Sequence, residues 1–510
     1  MEDIESIYNH TLCDKSFSHE SIFHSTTTSQ TPILARILIL GGGFAGVQVL
    51  KKLQAEFQNY TSVEITLVSK DNYFLFTPML PEVVSGTIEP IHIATPVRAL
   101  CNKRTNFYEA NVVSIELQNK KVVIMHRVND NNKTVRTSWH QQGSDVCYHI
   151  LKYDYLVLAL GNETNFFGNA NIANNAFTIK SLHDAITLRD HIINMLEQAD
   201  LEYENEEHLK RLLTFVVVGG GFAGIETIGE INSFIHNSIN NYYHYIKRKD
   251  VRVILVNAHE SILPEVTEDL SEFAMQKLRE EGVEVMLSTR VVDTDINSVK
   301  LGNGSVILSN TLIWAGGVKP NKFIAELSLC EHDKTGRVIV DDYLEVIGHK
   351  NVSAVGDCAS IVDSNTGKTC PPTAQHAMRQ GAVVARNIIS DIKRTRRGKN
   401  RREDNNSKAK FDYKTKGVMA KIGKRNGVGI LLGHKVHGFT AWLLWRTYYL
   451  ANLPTFEKKW RVTIDWTMDI LFEKNNISRL KTFAEVNNTR SIIDKIQLPL
   501  NQKSKNSHTV

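Results

Sequence analysis

A net charge of one sign is nearly missing from this sequence: 60 Lys and Arg stand against 55 Asp and Glu, leaving +5 over 510 residues. So small an excess gives no reason to expect nucleic acid, although it suits a protein resting on an anionic lipid surface. Cysteine is also scarce. The six residues, at 13, 101, 147, 330, 358 and 370, form no C-x-x-C and no even framework. That excludes a disulfide-stapled scaffold, predicts no metal site, and reads as a reducing compartment with mostly inert thiols. Long apolar runs are absent too, since no segment reaches the roughly 18 uncharged apolar residues that a spanning helix needs. The N-terminal stretch carries Glu2, Asp3, Glu5, Asp14 and Glu20 and has no apolar core before a small-residue cleavage site, so no secretory signal is expected. Residues 1–33 read as a mobile extension.

What is present is a globular composition, 42% hydrophobic and 23% charged, on a chain too long for one core; two or three domains are expected. The most informative feature is a repeat. Residues 36–50 read RILILGGGFAGVQVL and residues 214–228 read TFVVVGGGFAGIETI. Each GGGFAG follows a short apolar run suited to a buried parallel strand and opens a helical pattern. Downstream, VEITLVS (63–69) and VRVILVN (251–257) are matching second strands, so each copy is a βαβ unit. Gly41 and Gly219 permit the tight turn, and Gly43 and Gly221 let the backbone approach a pyrophosphate. Gly46 and Gly224 bring the helix close to its strand, with Phe44, Ala45 and Phe222 alongside, and the helix N-terminus faces the anion. One such motif is weak; two identical copies in strand–turn–helix context are strong.

Three further segments specify the ligands. YDYLVLALGNETNFFG (153–168) and TLIWAGGVKPN (311–321) are buried strands ending in turns at Gly161 and at Gly316 and Gly317, where the chain crosses between domains. VSAVGDCAS (352–360) ends in Gly356-Asp357, and an Asp at a strand end beside a helix start is placed to bind a polyol such as the ribityl chain of FAD; alone it would read as a helix cap. The expected architecture is therefore α/β, with two tandem Rossmann-type dinucleotide-binding domains, the nicotinamide domain inserted in the flavin domain, plus a C-terminal membrane-contacting region. The boundaries are residues 34–180 for the first part of the FAD-binding domain, 181–318 for the NAD(P)H-binding domain and 319–392 for the flavin return segment. A basic loop follows at 393–410, then a membrane-associating domain at 411–485 and a tail at 486–510.

With these motifs assembled, the chain resembles the two-dinucleotide-binding-domain flavoproteins and, within them, the type II NADH dehydrogenases, over roughly residues 35–480. NYFLFTPMLPEVVSGTIEP (72–90) is similar to the family's segment after the second flavin-domain strand. PPTAQHAMRQG (371–381) resembles its quinone-site motif, and GFTAWLLWRTYYLANLP (438–454) with KKWRVTIDW resembles its membrane-contacting C-terminus. The last stretch also has a physical reading. Residues 439–453 make a helix of roughly 22 Å, short of the ~30 Å hydrocarbon core. Its Trp and Tyr residues are flanked by Lys435, Arg446, Lys458, Lys459 and Arg461, which suits a helix lying among lipid headgroups. A core helix or a homodimer interface is the alternative.

The resemblance implies an FAD-dependent, non-proton-pumping NAD(P)H:quinone oxidoreductase of a respiratory chain, peripheral on the cytoplasmic face of the cell membrane, with a membrane quinone as partner. It implies catalytic roles for Glu226, at the nicotinamide–flavin–quinone junction, and for Gln375, hydrogen-bonded to a quinone carbonyl. Ala374, Met378 and Arg379 complete that motif, with Arg379 where the family usually has a second Gln; His376 reads as structural. The family's ribose-binding acids are replaced by Ser69 and Asn257, so that Asp71 or Glu260 would have to reach the ribose, and NADPH should be tolerated beside NADH. One rival is a sulfide:quinone oxidoreductase, which needs a reactive cysteine pair, for which Cys147 and Cys370 are conceivable. Others are a different NAD(P)H-dependent flavoprotein reductase and a slow-turnover NAD(P)H-sensing flavoprotein.

Overall fold

The apolar runs before the two GGGFAG segments form the central strands of two separate sheets. A computed structural model describes residues 33–127, 146–396, 408–472 and 477–478; the expected N-terminal extension and C-terminal tail lie outside them. Along the chain run β1 (Ala35–Leu40), α1 (Phe44–Phe57), β2 (Val63–Ser69), the short α2 (Leu80–Val84), β3 (Thr105–Glu109), β4 (Tyr155–Leu158) and β5 (Asn162–Thr164). Then come α3 (Leu182–Leu201), β6 (Thr214–Val218), α4 (Phe222–Tyr242), β7 (Arg252–Val256), α5 (Glu268–Glu280), β8 (Val283–Met286), β9 (Thr311–Trp314) and β10 (Val318–Pro320). The chain returns through β11 (Val352–Ala354) and α6 (Ala374–Arg396), then β12 (Gly417–Lys421), β13 (Gly427–Leu431), β14 (His434–His437), α7 (Gly438–Asn452) and α8 (Phe456–Phe472).

The flavin-side sheet is parallel in the order β11-β4-β1-β2-β3, and the nicotinamide-side sheet in the order β8-β7-β6-β9. Strands buried on both faces explain the near-continuous Val, Ile and Leu of β1 and β6. The insertion is visible where β5, leaving the flavin sheet, pairs antiparallel with β10, which returns from the nicotinamide sheet. The two crossing segments recognised in the sequence are this pair.

Two expectations change. α6 continues through Arg396, so Lys393, Arg394 and Arg396 of the expected basic loop form the last turn of a helix. Cys147 is disulfide-bonded, against the expectation of inert single thiols; the other described cysteines, 101, 330, 358 and 370, are free.

The C-terminal region is no detached appendage. Trp445 of α7 and Val462 and Trp466 of α8 enter the same hydrophobic cluster as α2, α3 and α4. The opposite face of α8 carries Phe456, Trp460, Ile464 and Met468 at every fourth position, then Leu471 and Phe472, each more than half exposed. Spacing of four places them on one stripe. Among the described residues, no helix is long and apolar enough to cross a membrane.

Candidate active site

The first glycine loop is shaped by contacts that leave no room for side chains. Gly41 has φ +116°, and a Cβ there would lie 2.1 Å from the Ala159 carbonyl oxygen. A Cβ on Gly46 would lie 1.9 Å from the Gly41 oxygen, so α1 rests against the turn itself. Gly43, the residue that starts α1, faces open space, and the first turn of the helix carries no acid. Free N–H groups at an uncrowded helix start fit a pyrophosphate. Gly161 and Gly356 both have positive φ, and Gly161 also faces open space. Gln380 holds the Gly356 turn by accepting from its N–H at 2.8 Å. Asp357 accepts from Asn162 at 2.5 Å, and Asn162 in turn accepts from Lys180 at 2.7 Å. Burial pushes the Asp357 carboxyl up, against the pull of Lys180 and Arg337. These residues fit FAD: a backbone cradle for its phosphates and a carboxylate at the strand end for its polyol. Lys180 and Arg337 carried no motif that would have singled them out, whereas Asn162 and Gln380 lie inside the segments at 153–168 and 371–381 but were given no role there. Ser69 is buried beneath the loop, its hydroxyl 2.7 Å from where a Gly42 Cβ would stand.

The second loop repeats the first. Gly219 has φ +114° and is closed by the Ala315 oxygen, a Gly224 Cβ would lie 1.9 Å from the Gly219 oxygen, and Gly221 is open. Gly316 packs against the Trp314 ring and Gly317 meets Phe167. Asn257, expected to face a ribose, spends both polar groups on backbone. Its Oδ1 accepts from the Gly220 N–H at 3.1 Å, and its Nδ2 donates to the carbonyls of His259 (3.2 Å) and Ser261 (2.7 Å). It ties the glycine loop to the loop after β7. Asn257→Ala should therefore lower kcat/KM for NADH and NADPH alike, by about tenfold, since buried backbone groups lose their partner. Equal loss leaves the coenzyme ratio unchanged; a changed ratio would return Asn257 to the selector role, and paired steady-state assays decide it.

The quinone-type motif occupies the start of α6. Gln375 accepts from the Tyr413 hydroxyl at 3.2 Å and donates to the Gly417 carbonyl at 3.3 Å. The Arg379 guanidinium lies over the Tyr413 ring, 5.3 Å from its centre. Burial pushes the Tyr448 hydroxyl of α7 up, with Tyr413 adding to it and Arg379 opposing. His376 is buried between Thr373 (2.7 Å) and Thr415 (3.4 Å), and burial pushes its imidazole down, as befits a structural histidine. Ala374 and Met378 are partly exposed beside it. The thiols of Cys358 and Cys370 are pushed up to about 11 by burial, so neither supplies the thiolate that sulfide chemistry needs.

Glu226 joins these parts. It sits on the second turn of α4, buried, with Oε1 accepting from the Trp445 indole N–H (2.8 Å) and the Lys421 backbone N–H (3.2 Å). Burial pushes its carboxyl up to about 8, against those hydrogen bonds and the Lys421 charge. Because both N–H donors hold Oε1, a proton on the group resides at Oε2. An aromatic series reaches the same place: Phe44 of the first glycine loop meets Phe74 and Phe76 edge-on, Phe76 meets Tyr449, and Tyr449 meets Trp445. The flavin cradle, the nicotinamide helix and α7 thus converge on one acid.

A family model described as pyridine nucleotide-disulphide oxidoreductase matches residues 35–381, and one described as NDH2 C-terminal domain matches residues 415–475. A probable NADH dehydrogenase of Dictyostelium discoideum is 31% identical over 441 residues, 86% of this chain and 90% of that protein. A type II NADH:quinone oxidoreductase of Mycobacterium tuberculosis is 33% identical over 455 residues, 87% and 90% of the two chains. The structure of NDH2 from Plasmodium falciparum in complex with NADH shares the fold, with a TM-score of 0.74 over 87% of this chain and all of that one, at 21% identity.

Proposed function

The chain belongs to the pyridine nucleotide-disulphide oxidoreductases and, within them, to the type II NADH dehydrogenases, and from that premise we propose how its own residues serve the reaction. The protein is an FAD-dependent NAD(P)H:quinone oxidoreductase. Bound in this cradle, FAD would supply what no side chain can, acceptance of a hydride and release of two electrons.

The glycine loop at 41–46 and Asp357 hold FAD, and the loop at 219–224 holds NADH. Gln375 positions the quinone, with Tyr413 fixing its carboxamide. Arg379 has only donors, so it can donate to a quinone carbonyl oxygen but cannot accept from a quinol hydroxyl as the family's usual Gln could. NADH brings one proton fewer than the quinol contains, so each turnover draws a proton from the protein. Glu226 supplies it from Oε2. The observation that carries this reading is the buried carboxyl with Oε1 fixed by two N–H groups and its proton affinity raised. Steady-state reduction of a lipid-dissolved quinone by NADH tests it, and a slow-turnover sensor would bind both nucleotides yet fail that assay.

Attachment is peripheral, and α7 and α8 provide it. The α8 stripe enters the headgroup region, while Lys458, Lys459 and Arg461 meet anionic lipid. The finer placement proposed is the cytoplasmic face of the cell membrane, where a soluble NAD(P)H pool meets anionic lipid. The double substitution Trp460→Glu and Ile464→Glu should lower partitioning onto anionic vesicles by about tenfold or more per side chain. Both sites are exposed, so the fold and NADH oxidation with a soluble acceptor should persist. Co-sedimentation measures it, and a variant that still pellets with vesicles moves the anchor elsewhere.

A further inference from the structure

The acid site carries more charge than a proton donor requires. Glu226 and Glu230 lie one turn apart on α4 and flank Gly229, where a Cβ would stand 2.4 Å from the Gly423 nitrogen. The β12–β13 turn therefore sits directly on the helix and drops Lys421 between the two glutamates. The buried Lys421 ammonium lies 2.5 Å from Glu82 of α2 and 2.6 Å from Glu230. The other Glu82 oxygen accepts from the Trp466 indole of α8 at 3.1 Å, so donors meet both of its oxygens. Arg446 of α7, flanked by the Trp442 and Trp466 rings, is 3.8 Å from both Glu82 and Asp469 of α8. Lys424 and Arg425 of the turn, Glu281 at the end of α5, Arg189 of α3 and the Tyr449 hydroxyl are the further charged and titratable groups around the cluster among the described residues. A buried ion pair roughly breaks even against apolar packing, so stability alone does not account for it.

We propose that the Lys421–Glu82 ion pair tunes Glu226 as a proton donor, which makes Lys421 and Glu82 positioning residues for the proton-transfer step. The two charges act on Glu226 with opposite sign. Lys421 favours its carboxylate, Glu82 opposes Lys421 with the smaller effect, and burial outweighs both. Removing either one unbalances the site in a known direction. The inference rests on Glu226 being the donor to quinone.

The test is the pH–rate profile of quinone reduction by the lipid-reconstituted holoenzyme. In the native protein the rate should fall as pH rises through about 8, where Glu226 loses its proton. Lys421→Met should move that limb up by about one pH unit, and Glu82→Gln should move it down by about as much. The double variant should bring it back close to the native position. A structural interface would lower the rate in both variants without moving the limb, or move both the same way, and either result overturns the proposal. Should Lys421→Met fail to retain FAD, Glu82→Gln and the double variant carry the test. A limb lowered in the single and restored in the double supports it, and the same limb in both refutes it. Glu226→Gln separates the two claims. If that variant keeps the alkaline limb, the donor reading fails; if it loses the limb while the ion-pair variants leave it in place, only the present inference fails.

Discussion

Gly224→Val should leave FAD bound while lowering the rate of flavin reduction by NADH about 100-fold or more, and Gly46→Val should give colourless apoprotein. The two positions are equivalent in the repeat, and each introduced Cβ would lie 1.9 Å from the carbonyl oxygen of the first loop glycine. No side-chain rotation relieves a clash with backbone, so the helix start must move away from its strand. Overpacking of this kind displaces the N–H groups that grip the pyrophosphate, and a misplacement of about 1 Å costs roughly 100-fold in rate. Because the glycines belong to different sheets, the two losses should be separable. FAD content after acid release and stopped-flow reduction measure them. Loss of FAD from both variants, or an unchanged NADH rate in Gly224→Val, contradicts the assignment of the two loops.

The second large effect is expected at Glu226. Glu226→Gln preserves shape and the hydrogen bonds to Trp445 and the Lys421 N–H but removes the proton. Quinone-dependent turnover should drop by about 100-fold or more, the usual loss on removing a positioned general acid. Flavin reduction by NADH should change only a few-fold. The sign of the pH dependence follows from the raised carboxyl: the active form is protonated, present below about 8 and lost above it. The Gln variant should show no such limb. Equal losses in both half-reactions would make Glu226 a residue of the nicotinamide site rather than a proton donor.

The dinucleotide loops were legible in the sequence because their chemistry is local. A glycine required by a backbone carbonyl 2 Å away leaves the same spacing wherever it occurs, and Gly41, Gly46, Gly219 and Gly224 all take the expected places. The crossing strands were legible for the same reason, as short apolar runs ending in small residues. The charged cluster was not. Glu82, Glu230, Lys421 and Arg446 come from four elements separated by up to hundreds of positions, and each reads singly as a solvated residue. Only tertiary packing buries them together. Asn257 marks the opposite case: its position at the end of β7 suggested a ribose contact, but the strand end alone cannot tell whether an amide faces a ligand or its own loop. The aromatic C-terminal helix was read as lying among lipid headgroups with Arg446 as a basic flank, yet the exposed stripe lies mainly on α8, whereas Trp442, Trp445 and Arg446 of α7 are buried. Aromatic content without periodicity does not say which side of a helix is covered.

The central claim, that two half-reactions meet at one FAD, is tested most directly by anaerobic titration of the flavin's visible absorption band. Equimolar NADH should bleach the band, equimolar quinone added next should restore it, and sulfide in a parallel cuvette should leave it unchanged. Bleaching by sulfide and not by NADH, or a reduced band that quinone fails to restore, would contradict it.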